Sequence, residues 1–344
     1  MILQFNVGDQ LGAWVFDHFL VFSEPALLAC HHVDDPTLKA TLEVWEDKGL
    51  ARTRLNRRIT ALQSFDHHAI PRLIEHGDDD GRLFIAMRPF SGDSLSDRMM
   101  GGSFGWSEGC AWLYRVAQAL QHIHSMGWVH RGVNPQAIYV GDGDEAWLLG
   151  MASALRVDEV PNSEIPSGNI SYVAPEVLAD QGHDPIKADV YSFGCVAYEL
   201  LRGEPAFPAA AWAENADRDR MMVDWKTRAA ALDPGPQHPD WLRSLVRNCA
   251  HPDAAKRLPD VDAIVNWLEG SLGSWQIAES APSQTPGILL PRQQLPPLHV
   301  QPAMWDPEDF AEAVAARAAE MQEPENRDDV FYAVSVAMGM AAGL

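Results

Sequence analysis

The most constraining feature of this 344-residue sequence is a change in hydrophobic periodicity near Ser91. Residues 5–33 alternate short β-prone runs with turns, which predicts three antiparallel strands. Residues 50–65 then have the spacing of an amphipathic helix, and two short strands are predicted at 71–75 and 83–87. After Ser91, four segments have helical spacing, at 106–126, 189–202, 240–249 and 261–272. A small β-rich unit followed by a larger helical unit predicts an α+β fold.

Charge and cysteine content narrow the expected partners and compartment. Lys and Arg number 26 against 48 Asp and Glu, so the formal net charge is −22. This charge repels phosphate backbones and anionic lipid headgroups, which makes nucleic acid and membrane surfaces poor expected partners. The four cysteines lack CxxC pairing, and the N-terminus lacks the pattern of a signal peptide. Both observations favour the cytoplasm.

Four segments of the chain carry a specific resemblance, and they occur in a characteristic order. They are LQHIHSMGWVHRGVNPQAIYV with His130, Arg131 and Pro135, SYVAPEVL with Ala174, Pro175 and Glu176, DVYSFGCVAYELLRGEPAF beginning at Asp189, and HPDAAKRLPDV with Arg257. From about Phe5 to Leu272 the chain resembles the eukaryotic-type Ser/Thr protein kinases. The resemblance implies a bilobal kinase-like fold, with a β-rich N-lobe and one regulatory helix at 1–88 and a larger helical C-lobe at 89–272.

Two further segments follow the kinase-like part. Residues 273–305 are rich in proline and polar residues, which predicts an extended linker. Asp306 and Pro307 resemble a helix start, so a helical extension is expected at 306–344. The apolar run that ends the chain is fifteen residues long, whereas a membrane-spanning helix needs roughly 18 to 20. No transmembrane segment is therefore expected.

The retained residues are structural ones. By the family pattern, Asp189 accepts hydrogen bonds from the backbone near His130 and Arg131, and Glu176 forms a buried ion pair with Arg257. Loss of one partner of such a pair typically costs roughly 3–5 kcal/mol, because a lone charge stays buried. The resemblance therefore predicts that the large lobe keeps its internal scaffold.

The positions that should bind nucleotide phosphates are altered. The glycine-rich loop is assigned to GAWVFD, where Gly12 remains but Trp14 and Asp17 replace the other two glycines. The family lysine is assigned to Cys30, and its partner glutamate on the regulatory helix to Arg58. A lysine–glutamate pair is not expected at these residues.

The positions for the base and the metal ligands are altered as well. In the catalytic loop, Gly132 replaces the catalytic aspartate, Asn134 the lysine and Ala137 the metal-binding asparagine. Gly150 replaces the aspartate of the Asp-Phe-Gly motif. Phosphoryl transfer needs cradled phosphates, bound metal ions and an oriented nucleophile. The sequence therefore predicts a pseudokinase without a nucleotide or metal cofactor, acting as a scaffold or regulatory subunit.

Two alternatives stay open at this point. An atypical transferase would need new carboxylates in the cleft, for which Asp142, Asp144 and Glu145 are candidates, although GDGDE reads better as a turn. A small-molecule sensor would line the cleft with Trp14, Met87 and Met151. The paired histidines His31-His32 and His67-His68, with His122 and His124, are interpreted as structural residues rather than metal ligands.

The expected partner is another protein or a second copy of this chain. Arg52, Arg54 and Arg57 lie on or before the regulatory helix, either as a solvated face or as a site for an acidic partner. Residues 306–330 hold nine acidic and two basic residues, a net charge of −7, and could occupy it. The apolar residues Phe331, Tyr332 and Val334 must pack against their own domain, a second copy or another protein.

Overall fold

The computed structural model describes residues 5–21, 26–48, 51–101, 104–160, 169–179, 182–208 and 218–279. Most of the predicted linker and the whole predicted extension lie outside these residues, including Phe331, Tyr332 and Val334. In the described stretches, every helix is too short or too polar to cross a lipid bilayer.

The first part of the chain forms one antiparallel sheet and one helix. The strands are β1 (Gln10–Leu11), β2 (Trp14–Val21), β3 (Ala26–His32), β4 (Lys39–Glu46), β5 (Leu73–Asp79) and β6 (Arg82–Met87), and helix α1 spans Ala51–Ser64. Their order in the sheet is β1-β2-β3-β4-β6-β5. Strand β4 was not predicted from the sequence, because both of its faces are buried and it carries charged residues within an apolar run.

Alternation along β4 divides the core of this lobe into two layers. Leu42 and Val44 point into a cluster on one face of the sheet, together with Phe84 of β6. On the other face, Leu83 and Ile85 of β6 belong to the main core that contains the buried side of α1. Side chains that alternate along a strand point to opposite faces, so each residue of β4 is committed to one layer.

The sheet curls until its two edges touch. Trp14 of β2 donates a hydrogen bond from Nε1 to Glu75 Oε2 of β5 at 2.9 Å. The backbone N–H of Gly12 donates to Asp79 Oδ2 of β5, also at 2.9 Å. These contacts join opposite edges of the sheet and enclose the cluster around Phe84, so the turn at Gly12 lies on this seam.

The second part of the chain is mainly helical. Its elements are β7 (Asp93–Ser94), α2 (Leu95–Gly101), α3 (Trp106–Ser125), β8 (Trp128–Val129), β9 (Ile138–Val140), β10 (Ala146–Leu148), β11 (Leu155–Arg156), α4 (Pro175–Leu178), α5 (Pro185–Arg202), α6 (Arg218–Arg228), α7 (Asp240–Cys249) and α8 (Val261–Glu279). Helix α8 continues past the predicted linker boundary at residue 273, since the next proline is Pro282.

Helix α5 forms the centre of the helical lobe, and local sequence signals set both of its ends. Asp184 caps the first turn by accepting from the N–H groups of Ile186 and Lys187, and Pro185 occupies the first helical position. Gly203 ends the helix in the left-handed conformation, with φ of 78°. A β-rich lobe with one helix, followed by a helical lobe, confirms the predicted α+β bilobal architecture.

Candidate functional site

The segment predicted to be the glycine-rich loop lies on the seam of the curled sheet. Trp14 is 1% exposed and packs into the buried cluster around Phe84. The Asp17 carboxylate is hydrogen-bonded to His31 Nδ1 at 2.7 Å and forms an ion pair with Lys39 at 3.3 Å. The side chains of Trp14 and Asp17 are therefore engaged within the sheet itself, on the strand that follows the turn at Gly12.

The ion pair between strand and helix is present with its charges exchanged. Arg58 of α1 donates a hydrogen bond from Nη1 to Glu43 Oε1 of β4 at 2.6 Å, and its Nη2 lies against Oε2. In protein kinases a lysine on the strand before this helix pairs with a helix glutamate. Here the acid is on the strand and the base is on the helix.

This geometry corrects the position assigned to the family lysine. Cys30 lies on β3 beside Ala40 of β4, and its side chain is buried in the sheet layer that faces away from α1. Burial raises the pKa of the Cys30 thiol to about 12, so the side chain behaves as a small apolar group. Glu43, and not Cys30, faces Arg58. The sequence assignment was one strand too early because β4 had not been identified.

The corrected register moves the glycine-rich position as well. The two strands that precede β4 are β2 and β3, and residues 22–25 connect them. This connection, Phe22-Ser23-Glu24-Pro25, contains no glycine, and residues 13–48 as a whole contain none. Its structure lies outside the described residues. A loop that binds phosphates through its backbone needs glycines, which allow the phosphates to approach closely. The sequence has a residue with a side chain at every position of this connection.

Burial makes the two charges of the exchanged pair depend on each other. Glu43 is 2% exposed and Arg58 is 3% exposed. Burial raises the pKa of Glu43, and the charge of Arg58 opposes that rise. The Arg58 guanidinium also lies over the Trp45 ring, 5.7 Å from its centroid. Loss of either partner would leave an uncompensated buried charge.

A buried carboxylate organises the catalytic-loop segment. Asp189 of α5 accepts hydrogen bonds from the N–H groups of His130 and Arg131, both at 2.8 Å, and contacts His124 Nε2 at 2.9 Å. Burial acts to raise the pKa of Asp189, but the hydrogen bond and charge of His124 hold it below its ordinary value. Arg131 has φ of 60°, a left-handed conformation that costs energy for a residue with a side chain. Asp189 offsets that cost.

The side chain of His130 is committed to the same scaffold. Its Nε2 lies 2.7 Å from the Leu149 carbonyl oxygen, and its Nδ1 accepts from the Gly132 N–H at 3.1 Å. A carbonyl can only accept and a backbone N–H can only donate, so His130 is assigned as the neutral Nε2–H tautomer. Burial lowers the pKa of His130, which agrees with this assignment.

The residues at the base and lysine positions have structural contacts. Asn134 caps the short turn Pro135–Ala137 by accepting from the Gln136 N–H, and its amide donates to the Gly132 carbonyl at 2.9 Å. Gly132 has space around it: a Cβ at this position would lie 3.7 Å from the Gly150 carbonyl oxygen and the His130 ring. A Cβ at Gly132 would therefore make only ordinary van der Waals contacts, but the sequence provides no side chain there.

The two positions for metal ligands approach each other closely. A Cβ on Gly150 would lie 3.0 Å from the Cβ of Ala137, closer than ordinary van der Waals contact. Gly150 also has φ of 83°, where a side chain is strained. Magnesium prefers oxygen ligands in octahedral geometry, and neither residue has a side-chain oxygen. This arrangement does not fit a magnesium ion held in the manner of the protein kinases.

Side chains from both lobes pack into one core between the sheet and the helical lobe. Met87, Met151 and Leu148 are fully buried, and Tyr139 of β9 is 7% exposed. The Tyr139 ring packs against Phe90 with centroids 5.3 Å apart. Burial raises the pKa of Tyr139, and the nearby carboxylate of Glu43 raises it further. Tyr139 thus brings a large side chain close to the exchanged ion pair.

The carboxylates considered for an alternative active site belong to a turn against α3. Arg115 of α3 pairs with Asp144 Oδ2 at 2.5 Å, and the Trp112 indole donates to the Gly143 carbonyl at 3.0 Å. The N–H of Glu145 closes this turn onto the carbonyl of Asp142. These contacts give the segment a structural role, as the turn interpretation predicts.

The basic residues of α1 differ in their surroundings. Arg52 pairs with Asp47 and with Asp78, the latter at 2.6 Å, so its charge is compensated within the lobe. Arg54 is exposed and Arg57 is partly exposed. Of the basic residues predicted for partner recognition, Arg52 is therefore engaged within its own lobe.

Two buried cations anchor the segment at residues 169–179. Arg257 makes a two-point contact with Glu176, at 2.6 and 2.8 Å. Lys226 of α6 is fully buried and donates to the carbonyls of Ile170, Ser171 and Val173 at 2.8, 2.9 and 2.5 Å. Sequence reasoning missed Lys226, Glu43 and Tyr139. For Glu43, the available signal was an acidic residue in the middle of the otherwise apolar run ATLEVW.

The exchanged pair can be tested by reversing its charges. We expect Glu43→Lys to lower the free energy of unfolding by about 3–5 kcal/mol, because two cations would then be buried together. Adding Arg58→Glu should recover most of this loss, since the pair is restored in the opposite sense. Denaturant unfolding of the wild type, both single variants and the double variant measures the coupling. Equal stability of all four proteins would contradict the pairing.

The contact at the metal-ligand positions gives a second prediction. Gly150→Ala should cost about 1–3 kcal/mol, because its backbone is left-handed and Ala137 is adjacent. Gly132→Ala is the matched control and should change stability by less than about 0.5 kcal/mol. Thermal and denaturant unfolding measure both. If the two variants were equally stable, the crowding at Gly150 would be disproved.

Similarity to known proteins agrees with the architecture. Serine/threonine-protein kinase PknJ of Mycobacterium tuberculosis (strain H37Rv) is 34% identical over 171 residues, covering 48% of this chain and 29% of PknJ. PknE of the same organism is 31% identical over 174 residues, covering 49% of this chain and 30% of PknE. DCLK2 of Mus musculus is 31% identical over 157 residues, covering 44% of this chain and 20% of DCLK2. The aligned part therefore spans less than a third of the length of each relative.

The family itself is established by a longer match. The family model described as protein kinase domain matches residues 30–266, more than half of the chain. This match includes β4, α1, the loop at His130 and helix α5. The chain therefore belongs to the protein kinase family.

Proposed function

We propose that this chain is a non-catalytic member of the protein kinase family that acts as a protein-binding scaffold or regulatory subunit. The observation that carries the proposal is the contact between Ala137 and Gly150. Where a kinase presents two oxygen ligands to magnesium, this chain brings a methyl group against a glycine. Metal ions neutralise the charge that develops in phosphoryl transfer, so their loss removes a central catalytic element.

The charge and filling of the cleft support the same proposal. Glu43 places a carboxylate where a kinase has a phosphate-binding lysine, and a carboxylate repels phosphate. Gly132 leaves the substrate hydroxyl without a carboxylate base. Tyr139, Met87 and Met151 belong to one buried core between the lobes. Metal, phosphate and base functions are each affected by a separate substitution.

The relatives constrain the proposal without deciding it. PknJ, PknE and DCLK2 are all named serine/threonine-protein kinases. Their names describe those proteins, and each is matched over less than a third of its length. The absence of catalysis in this chain is therefore a proposal that rests on its own residues at the aligned positions.

Binding of ATP and magnesium to the full chain is the direct test. A ligand with a Kd of 10 μM present at 1 mM would stabilise the fold by about 2.7 kcal/mol. We expect no such magnesium-dependent shift in the melting temperature, and no transfer of labelled phosphate to the chain or to a generic protein acceptor. PknJ assayed in parallel serves as the positive control.

The variant Gly132→Asp sharpens this test. A Cβ at this position meets no close contact, and the variant restores a carboxylate at the predicted position of the base, yet Ala137 and Gly150 still provide no metal ligands. We expect this variant to remain inactive. Magnesium-dependent transfer by the wild type, or its appearance in Gly132→Asp, would overturn the proposal.

The scaffolding role has a separate test. The wild type and the variant F331A/Y332A/V334A are each used as bait to capture partner proteins. Sedimentation then measures whether each protein binds a second copy of itself. We expect the wild type to bind a partner protein or a second copy, and the variant to bind it at least about tenfold more weakly. The reason is that buried apolar side chains dominate such interfaces. Arg52→Ala is the control, since Arg52 is already paired within its own lobe. Identical behaviour of wild type and triple variant would contradict a role for these residues.

A further inference from the structure

Three imidazole rings meet where the β-rich lobe joins the helical lobe. His67 and His68 lie in the loop that follows α1, and His122 lies in the last turn of α3. The ring centroids of His67 and His68 are 4.2 Å apart. Those of His67 and His122 are 5.3 Å apart, with their planes inclined by 22°. We call His67, His68, His122 and the adjacent Arg115 the histidine joint.

The hydrogen bonds of the histidine joint determine its protonation. The Ala69 N–H donates to His67 Nδ1 at 3.2 Å, and the Asp66 N–H donates to His122 Nε2 at 3.3 Å. Arg115 Nη1 donates to His68 Nε2 at 2.9 Å. Backbone N–H groups and guanidinium groups can only donate. One nitrogen of each ring must therefore accept, so all three histidines are neutral in this arrangement.

The charged groups around the joint give little compensation for added protons. Arg115 of α3 keeps a permanent positive charge beside His68. Asp144, from the turn before β10, already pairs with Arg115 at 2.5 Å. Asp66, in the loop itself, is exposed to solvent. Protonation would remove three hydrogen-bond acceptors and place up to three new cations next to Arg115.

The same loop holds the two lobes together. The Leu148 N–H of β10 donates to the Ala69 carbonyl at 2.8 Å, and the Phe65 ring packs against Trp128 of β8 with centroids 6.0 Å apart. Phe65 and Asp66 also line a cavity of about 550 Å³ between the end of α1 and β5. The His68 side chain is exposed, and those of His67 and His122 are partly exposed, so protons can reach the joint without global unfolding.

We propose that His67, His68 and His122 form an acid-sensitive joint, whose protonation releases the loop at residues 65–70 from the helical lobe. This inference is independent of the proposed function, because it concerns contacts between the lobes and not the nucleotide cleft.

The direction of the pH dependence follows from the environment of the rings. Burial lowers the pKa of His67 from 6.5 to about 4, and repulsion by His68, His122 and Arg115 acts in the same direction. Burial also lowers the pKa of His68. The released loop binds protons near the ordinary value of 6.5, whereas the docked loop resists them. Docking is therefore fully favourable above about pH 6.5 and is lost as the pH falls towards 4.

Hydrogen exchange of the full chain tests the proposal at single amides. We expect the protection of the Asp66 and Ala69 amides, corrected for intrinsic exchange, to fall by about tenfold or more between pH 7.5 and pH 5. Amides in the centre of α5 report global unfolding and should remain protected over this range. Unchanged protection at Asp66 and Ala69, or an equal loss in α5, would overturn the proposal.

A variant that accepts hydrogen bonds without titrating provides the matched comparison. In His67→Asn, His68→Gln and His122→Gln combined, amide oxygens can replace the accepting ring nitrogens, and we expect most of the acid-dependent loss at Ala69 to disappear. His251→Asn is the control, because His251 Nδ1 accepts from the Asp253 N–H at 3.0 Å outside the joint. The proposal fails if the triple variant keeps the wild-type pH dependence, or if His251→Asn removes it. The wild-type amide measurement decides the matter even if the triple variant does not fold.

Discussion

The centre of the helical lobe depends on the hydrogen bonds that the Asp189 carboxylate accepts. Asp189 lies in the second turn of α5, a helix that is buried along most of its length. Its carboxylate accepts hydrogen bonds from the backbone N–H groups of His130 and Arg131. Arg131 has an unfavourable left-handed conformation, which these two bonds stabilise. His130 then orders the next residues through its bonds to Leu149 and Gly132. The loop at His130 therefore keeps its ordered backbone arrangement, with glycine at position 132.

The β-rich lobe has a comparable constraint in the pair of Glu43 and Arg58. The electrostatic requirement is that opposite charges meet between strand and helix; which element carries which sign does not affect attraction between them. Exchange of the signs therefore keeps α1 attached to the sheet. It does change what the strand offers to a ligand, since a carboxylate replaces a cation. The pair of Glu43 and Arg58 thus joins strand β4 to helix α1 with the carboxylate on the strand and the guanidinium on the helix.

The other residues at the predicted site take part in packing or in turn formation. Tyr139 and Met151 join the core between the lobes, Asn134 caps a turn, and Ala137 packs against Gly150. The Asn134 amide also donates to the Gly132 carbonyl, which ties the turn to the loop. The lobes are also linked behind the cleft by the histidine joint, where neutral rings accept hydrogen bonds from both lobes.

Local patterns in the sequence were sufficient for the architecture and for the helical lobe. Periodicity indicated the α+β division, and the motifs around His130, Glu176, Asp189 and Arg257 indicated the kinase-like arrangement, because their spacing is short and contains characteristic residues. The β-rich lobe was harder. Strand β4 is buried on both faces and contains Lys39 and Glu43, so neither alternation nor composition identified it. The assigned register was therefore shifted by one strand.

The sequence by itself determined which chemical groups are present: glycine, alanine and glycine at positions 132, 137 and 150, and an acidic chain with few cations. Only the tertiary structure decided which groups meet. Glu43 pairs with Arg58 because β4 and α1 pack face to face, although 14 residues separate them in the chain. His67 and His122 stack because the loop after α1 rests on α3. Such contacts depend on the register of strands and the docking of lobes, and local sequence patterns do not encode either directly.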